Sequence, residues 1–255
     1  MGGSMEEFSK LIELMATLRS DIGCPWDKKQ TIGAFKTFLL EEVYELVDSI
    51  EQSNYRAIKE ELGDLMFHIV FIAQICKEGG LFDITEVING VYEKMYHRHP
   101  HVYGDMSRDT PIETKWEELK KNEKDGYSPL QNIPQIIPAL LRSYIISKRA
   151  ARFGFDWQKL EDVHEKMREE IEELKKAEES GDSGLIREEI GDLLFTIVNI
   201  ARFHNIDPED ALRATSQKFV RRFSYIEKNT DLSNTTLETM DKLWNEVKGM
   251  EKKGQ

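Results

Sequence analysis

Four acidic residues of the first half, Glu42, Glu45, Glu61 and Asp64, form an ExxE pair and an ExxD pair. Residues three apart on a helix share a face, so each pair projects as a unit. The short polar link around Gln52–Asn54 makes the two predicted helices antiparallel neighbours, and their acidic faces can meet. Like charges about 4 Å apart repel by about 4 kcal/mol at an effective dielectric of about 20. Asp64 also sits in the apolar run LGDLMFHIV, where an unpaired buried charge costs more still. Such a cluster calls for protons, arginines or a divalent cation. Oxygen donors without His or Cys suit Mg²⁺, with Mn²⁺ as the alternative, rather than zinc.

The constellation occurs twice. EELGDLMFHIV over 60–70 returns as EEIGDLLFTIV over 188–198. Glu41, Glu42, Glu45, Glu61, Gly63 and Asp64 recur 128 positions later as Glu169, Glu170, Glu173, Glu189, Gly191 and Asp192. A period this long with two copies is duplication of a whole domain rather than a solenoid. A mid-helix glycine costs about 1 kcal/mol relative to alanine; at Gly63 and Gly191 it predicts close approach of a backbone or a ligand. A di-iron carboxylate bundle would need Glu-x-x-His on facing helices. Here Asp64 follows Glu61, and His68 is replaced by Thr196 in the second copy.

Cations and aromatics repeat as well. Lys94 and Arg98 lie one helical turn apart after the first acidic pair, and Lys218 and Arg222 repeat them at an offset of 124. Arginine forks suit phosphate oxygens and lysine supplies a point charge. Lys59 and Arg187 precede the second acidic pair of each copy and are further candidates. Trp116 and Trp244 open short polar stretches with Lys120 and Lys248 one turn on. Each tryptophan can stack on a base or anchor its helix to the core. HRHPHVYGD over 97–105 is read as a structured loop rather than a histidine metal site, because Pro100 breaks the helix and the second copy has no equivalent.

Helical periodicity supplies the elements that position these residues. Phe38, Leu39, Val43, Leu46, Val47 and Ile50 make one apolar stripe, and Leu62, Leu65, Met66, Ile69, Val70 and Ala73 another. The spacing predicts helices near 5–20, 31–51, 54–78, 83–98 and 110–124, then 137–152, 159–180, 183–204, 207–229 and 236–252. No segment alternates as a strand would, so the fold is expected to be all-α. Pro129, Pro134 and Pro138 mark a connection. The expected organisation is a first module over 5–125, a Pro-containing linker over 126–137 and a second module over 138–255. The MGGS ahead of Met5 is set aside.

The 255 residues are 40% hydrophobic and 32% charged, which suits a globular chain with a real core. No run of 18 apolar residues exists, so no membrane span is expected. A net charge of −12 argues against general nucleic-acid or anionic-membrane binding. Two cysteines outside any CxxC pair fit a reducing cytoplasm.

GCPWDKKQT over 23–31, LLEEVYELVDSI over 39–50, EELGDLMFHIV and HRHPHVYGD together resemble the N-terminal half of MazG proteins. REEIEEL, EEIGDLLFTIV, KFVRRF and LWNEVK resemble their C-terminal half. The resemblance covers essentially the whole chain. It implies two tandem four-helix-bundle-like modules assembled as a homodimer. It implies a nucleoside triphosphate pyrophosphohydrolase that converts an NTP or dNTP and water to the monophosphate and pyrophosphate, in a house-cleaning role. The Mg²⁺ ligands would be Glu42, Glu45, Glu61 and Asp64, and Glu170, Glu173, Glu189 and Asp192. Lys218, Arg222, Trp244 and Lys248 would hold the nucleotide, with Lys94, Arg98, Trp116 and Lys120 as counterparts. Glu41 and Glu169, next to the ligands, are the expected bases for the attacking water. The second copy departs at FGFDWQKLEDV, which has no CPWD element. The contrasting expectation is a helical nucleotide sensor or adaptor that binds without turnover.

Overall fold

The computed structural model describes residues 2–105, 107 and 128–253, and among them all regular structure is helical. The described residues fall into two compact units, one within Met1–Thr110 and one within Pro111–Gln255.

The first unit runs α1 (Gly2–Leu18), α2 (Pro25–Lys29), α3 (Ile32–Glu51), α4 (Tyr55–Glu78), α5 (Ile84–His97) and α6 (Pro100–Tyr103). Caps explain the boundaries. Thr31 accepts the Ala34 N–H to start α3, and Asn54 accepts the Ala57 N–H to start α4. Asp83 and Glu86 form a reciprocal capping box on α5. Ser53, at φ 52°, turns the chain between α3 and α4. The core is Met15, Phe35, Val70, Phe71, Ala73 and Ile84, so α1, α3, α4 and α5 all contribute to it. Phe71 is fully buried and stacks on Phe35 with centroids 4.3 Å apart.

The GCPWD stretch becomes a tight turn into α2. A Cβ on Gly23 would lie 2.2 Å from the Thr17 carbonyl oxygen and 2.3 Å from that of Leu18, so only glycine fits. Arg19 secures the turn. Its Nη1 donates to the Asp27 carbonyl at 2.6 Å, while Nε and Nη2 donate to Glu78 at the end of α4. Its guanidinium also lies over the Phe71 ring at 5.3 Å.

The second unit runs α7 (Ala139–Ala151), α8 (Leu160–Ser180), α9 (Ser183–Phe203), α10 (Pro208–Asn229) and α11 (Leu237–Lys253). Gly181, at φ 70°, ends α8 in the left-handed region, and Asp182 caps α9 through the Gly184 and Leu185 N–H groups. α8 and α9 pair as a hairpin, α10 and α11 as another, and α7 packs against α9 and α10. Val163, Val198 and Ile226 are among its buried residues. Ile133 is buried and the Pro129 carbonyl accepts Arg149 Nη1 at 2.9 Å, so part of the expected linker is anchored.

The predicted helices agree with the observed ones to within a few residues at each end. α1 begins at Gly2 rather than 5, and the short α2 and α6 were not expected. The helix expected over 110–124 lies outside the described residues. Among the described residues no helix is long and apolar enough to cross a membrane.

Candidate functional site

In the first unit α3 presents Glu42 and Glu45 and α4 presents Glu61, and one oxygen from each falls within 4.8 Å of the others. The second unit repeats this with Glu170 and Glu173 of α8 and Glu189 of α9. The expected meeting of acidic faces is therefore present twice, formed each time by an antiparallel hairpin with a capped turn. Asp64 and Asp192 stand apart from these sets of three. Both are solvent-exposed, which corrects the expectation of a buried Asp64. An aspartate is one methylene shorter than glutamate and reaches less far toward the cluster.

Electrostatic strain is visible at the α4 and α9 carboxylates. Partial burial, then Glu45, Glu42, Asp64 and Glu60, push Glu61 above the usual glutamate range. Partial burial, then Glu173, Glu170, Asp192 and Glu188, push Glu189 up in the same way. These groups retain protons more readily than ordinary glutamates unless a cation arrives. Three oxygen donors at this spacing, without sulfur, fit a hard divalent ion such as Mg²⁺ or Mn²⁺.

The carboxylates of the two sites have different partners. In the first, His68 Nε2 lies 3.4 Å from Glu42 Oε1. Its ring is buried among Phe35, Phe38 and Phe67, with centroids 5.2, 6.3 and 5.4 Å away. In the second, Thr196 is buried where the first has His68. There Lys166 of α8 reaches both Glu169 and Glu170 at 2.8 Å, and Glu170 is only 4% exposed. The Lys166 ammonium is held charged, first by Glu169 and then by Glu170. The residue 128 positions earlier is Phe38, which stacks on His68. Lys166 was missed in the sequence, although its i,i+3 and i,i+4 spacing to Glu169 and Glu170 is legible there.

Glu41 and Glu169 both face solvent beside the clusters, and Glu169 is engaged by Lys166. Gly63 and Gly191 do not meet a neighbouring backbone: a Cβ at either would have nothing within 4 Å. Among the described residues no backbone makes the close approach expected there, and the surrounding helix faces are open. Leu62, Met66 and Ile69 on α4 are each about half exposed, as are Ile190, Leu194 and Ile197 on α9.

Of the expected ligand-holding residues, α10 and α11 bring Arg222 and Trp244 together. The guanidinium lies 5.4 Å over the indole, and Phe219 stands 5.1 Å from it. Arg222 is turned to Glu251 rather than to the carboxylate cluster, with two hydrogen bonds at 2.9 and 2.7 Å. Lys218 and Lys248 are exposed on the same two helices, Lys59 and Arg187 are exposed near the starts of α4 and α9, and Lys94 is exposed on α5. Arg98 caps the end of α5 through its backbone N–H. Trp116 and Lys120 lie outside the described residues. His99 begins α6, where Tyr96 and Tyr103 stack at 4.7 Å. Among the described residues no histidine joins a possible metal group.

A second part-buried arginine steadies the segment before α8. Arg202 donates through Nη1 to Asp156 at 2.9 Å, pairs with it again through Nη2, and contacts buried Asn199 through Nε. FGFDW thus receives an anchor from the end of α9, whereas CPWD receives one from the end of α1.

Residues 30–103 and 158–226 match the MazG nucleotide pyrophosphohydrolase domain. Those segments contain both carboxylate clusters. The chain belongs to the MazG family. It is 42% identical over 249 residues to a nucleoside triphosphate pyrophosphohydrolase/pyrophosphatase MazG of Thermotoga maritima, covering 95% of this chain and 96% of that one. It is 38% identical over 260 residues to a nucleoside triphosphate pyrophosphohydrolase of Escherichia coli K12, covering 97% and 99%. A Bacillus subtilis protein described as uncharacterized YabN is 42% identical over 257 residues, covering 97% of this chain and 53% of that protein. The MazG clusters here therefore sit in a chain that matches its enzyme relatives nearly end to end.

Proposed function

We propose that this chain hydrolyses nucleoside or deoxynucleoside triphosphates to the monophosphate and pyrophosphate, in the service of nucleotide-pool house-cleaning. The observation that carries this reading is the pair of three-carboxylate clusters at equivalent places in both units. The near full-length likeness to relatives named for this activity supports it. Each cluster would hold Mg²⁺, with Asp64 and Asp192 swinging in as fourth ligands. A bound Mg²⁺ would polarise the phosphate oxygens and offset charge developing at the α–β bridge. Glu41 or Glu169 would orient the water and take its proton. The water oxygen bonds to phosphorus on one side of the bridge, and the bridging oxygen leaves with the other product. Lys218, Arg222, Trp244 and Lys248 would hold phosphates and base in the second module, and Lys94, Arg98, Trp116 and Lys120 in the first.

The half-exposed apolar positions on α4 and α9, beside the open Gly63 and Gly191, favour assembly with a second copy as a cytoplasmic homodimer. The deciding experiment resolves pyrophosphate from orthophosphate at early times with Mg²⁺ present. Equal monophosphate and pyrophosphate are expected. Orthophosphate as the first product overturns the α–β assignment, and undiminished activity in the Glu61→Gln, Glu189→Gln double variant overturns the metal assignment.

A further inference from the structure

Two adjacent arginines of α10 converge on a single carboxylate near the end of α11. Arg222 donates from Nε and Nη2 to Glu251 Oε2 at 2.9 and 2.7 Å. Arg221 donates from Nε and Nη2 to Glu251 Oε1 at 3.0 and 2.9 Å. Each carboxylate oxygen is thus gripped by one guanidinium fork. Such forks match phosphate oxygens as well as they match carboxylate. Arg222 is the more buried of the two, 14% exposed against 64% for Arg221, and Trp244 covers its face. Arg222 and then Arg221 hold Glu251 below the usual glutamate range, so it remains an anion at neutral pH.

We propose that Glu251 is an internal competitor for the phosphate chain at the second module. Its carboxylate fills the anion position between Arg221 and Arg222 when no ligand is bound. A triphosphate displaces it, and it returns when the products leave. Glu251 thereby sets the affinity of the module for polyphosphate anions. The proposal rests on the reading above that Arg222 contacts the nucleotide. The opposite role would be a strut that keeps Arg222 correctly placed, and the two roles differ in the sign of a substitution.

The probe is inorganic tripolyphosphate with excess Mg²⁺, titrated calorimetrically into the full chain and its variants, whose folding is checked by thermal melting. Glu251→Gln keeps the shape and removes the charge, and it should tighten one class of sites roughly tenfold. Glu251→Asp keeps the charge but shortens the reach across both forks; it should tighten binding by a smaller factor, and it serves if the glutamine variant folds poorly. Arg222→Gln should weaken the same class. Unchanged or weaker binding in both Glu251 variants, with loss in Arg222→Gln, overturns the competitor while sparing the reading of Arg222. Unchanged binding in all three variants overturns the competitor and that reading together.

Discussion

Replacing Lys166 with methionine separates the two proposed metal sites by their built-in charge. The ammonium sits 2.8 Å from Glu170, a carboxylate whose side chain is 5% exposed, while Lys166 itself is 36% exposed. A hydrogen bond to a charged group contributes about 1.5–3 kcal/mol, and a solvent-exposed ion pair about 1 kcal/mol or less. With one partner buried and the other open to solvent, about 2 kcal/mol is the discounted value. Metal-free Lys166→Met then loses about that much, because Glu170 is left buried and unpaired. By the usual scaling for a unit of this size, its second unit should melt about 4–8 °C lower. A divalent ion no longer has to displace the ammonium, so the affinity of the second cluster should rise about thirtyfold.

The first unit has Phe38 in the equivalent place. Wild-type protein should therefore show two classes of Mn²⁺ site, and the variant should bring them closer together. Electron paramagnetic resonance of free Mn²⁺ during titration counts both classes without any turnover. Thermal melts with and without Mg²⁺ give the linked stability, and saturating Mg²⁺ should restore most of the lost melting temperature. Equal Mn²⁺ affinity in wild type and Lys166→Met, together with equal metal-free melting, would falsify the idea that Lys166 competes for Glu170.

Two further predictions follow from the same geometry. Glu61 and Glu189 are raised in the folded state, so their contribution to metal-free stability is present at low pH and lost as pH rises through their folded values. The Mg²⁺-bound state needs both ionised, so the melting shift caused by Mg²⁺ should be largest near about pH 7 and shrink toward about pH 5; a shift independent of pH in melts across that window refutes the assignment. Gly23→Ala places a methyl 2.2 Å from a main-chain oxygen and should destabilise the first unit by about 2 kcal/mol or more, read as a lower urea midpoint at constant slope, and an unchanged midpoint refutes the close approach at that turn.

Most of the scaffold was legible because apolar spacing and caps agree locally. Thr31, Asn54, Asp83 and Asp182 each cap the helix that the periodicity predicts. The short helices α2 and α6 are not legible, because four or five residues carry too little periodicity. What partners the cluster carboxylates was not legible. The contact of His68 with Glu42 depends on how Phe35, Phe38 and Phe67 orient the ring. Glu251 does recur, 128 positions after Glu123, but sequence spacing says nothing of its partner, and only the pairing of α10 with α11 brings it to Arg222. Repetition identifies the carboxylates that both units share. It is silent about residues that differ between copies, and those differences decide which side chains meet each cluster. His68 opposite Phe38 in one unit, and Thr196 with Lys166 in the other, are two packing solutions to the same repulsion. One uses a buried ring and the other an ammonium. Two clusters built from the same three glutamates thus need not share one affinity for a cation.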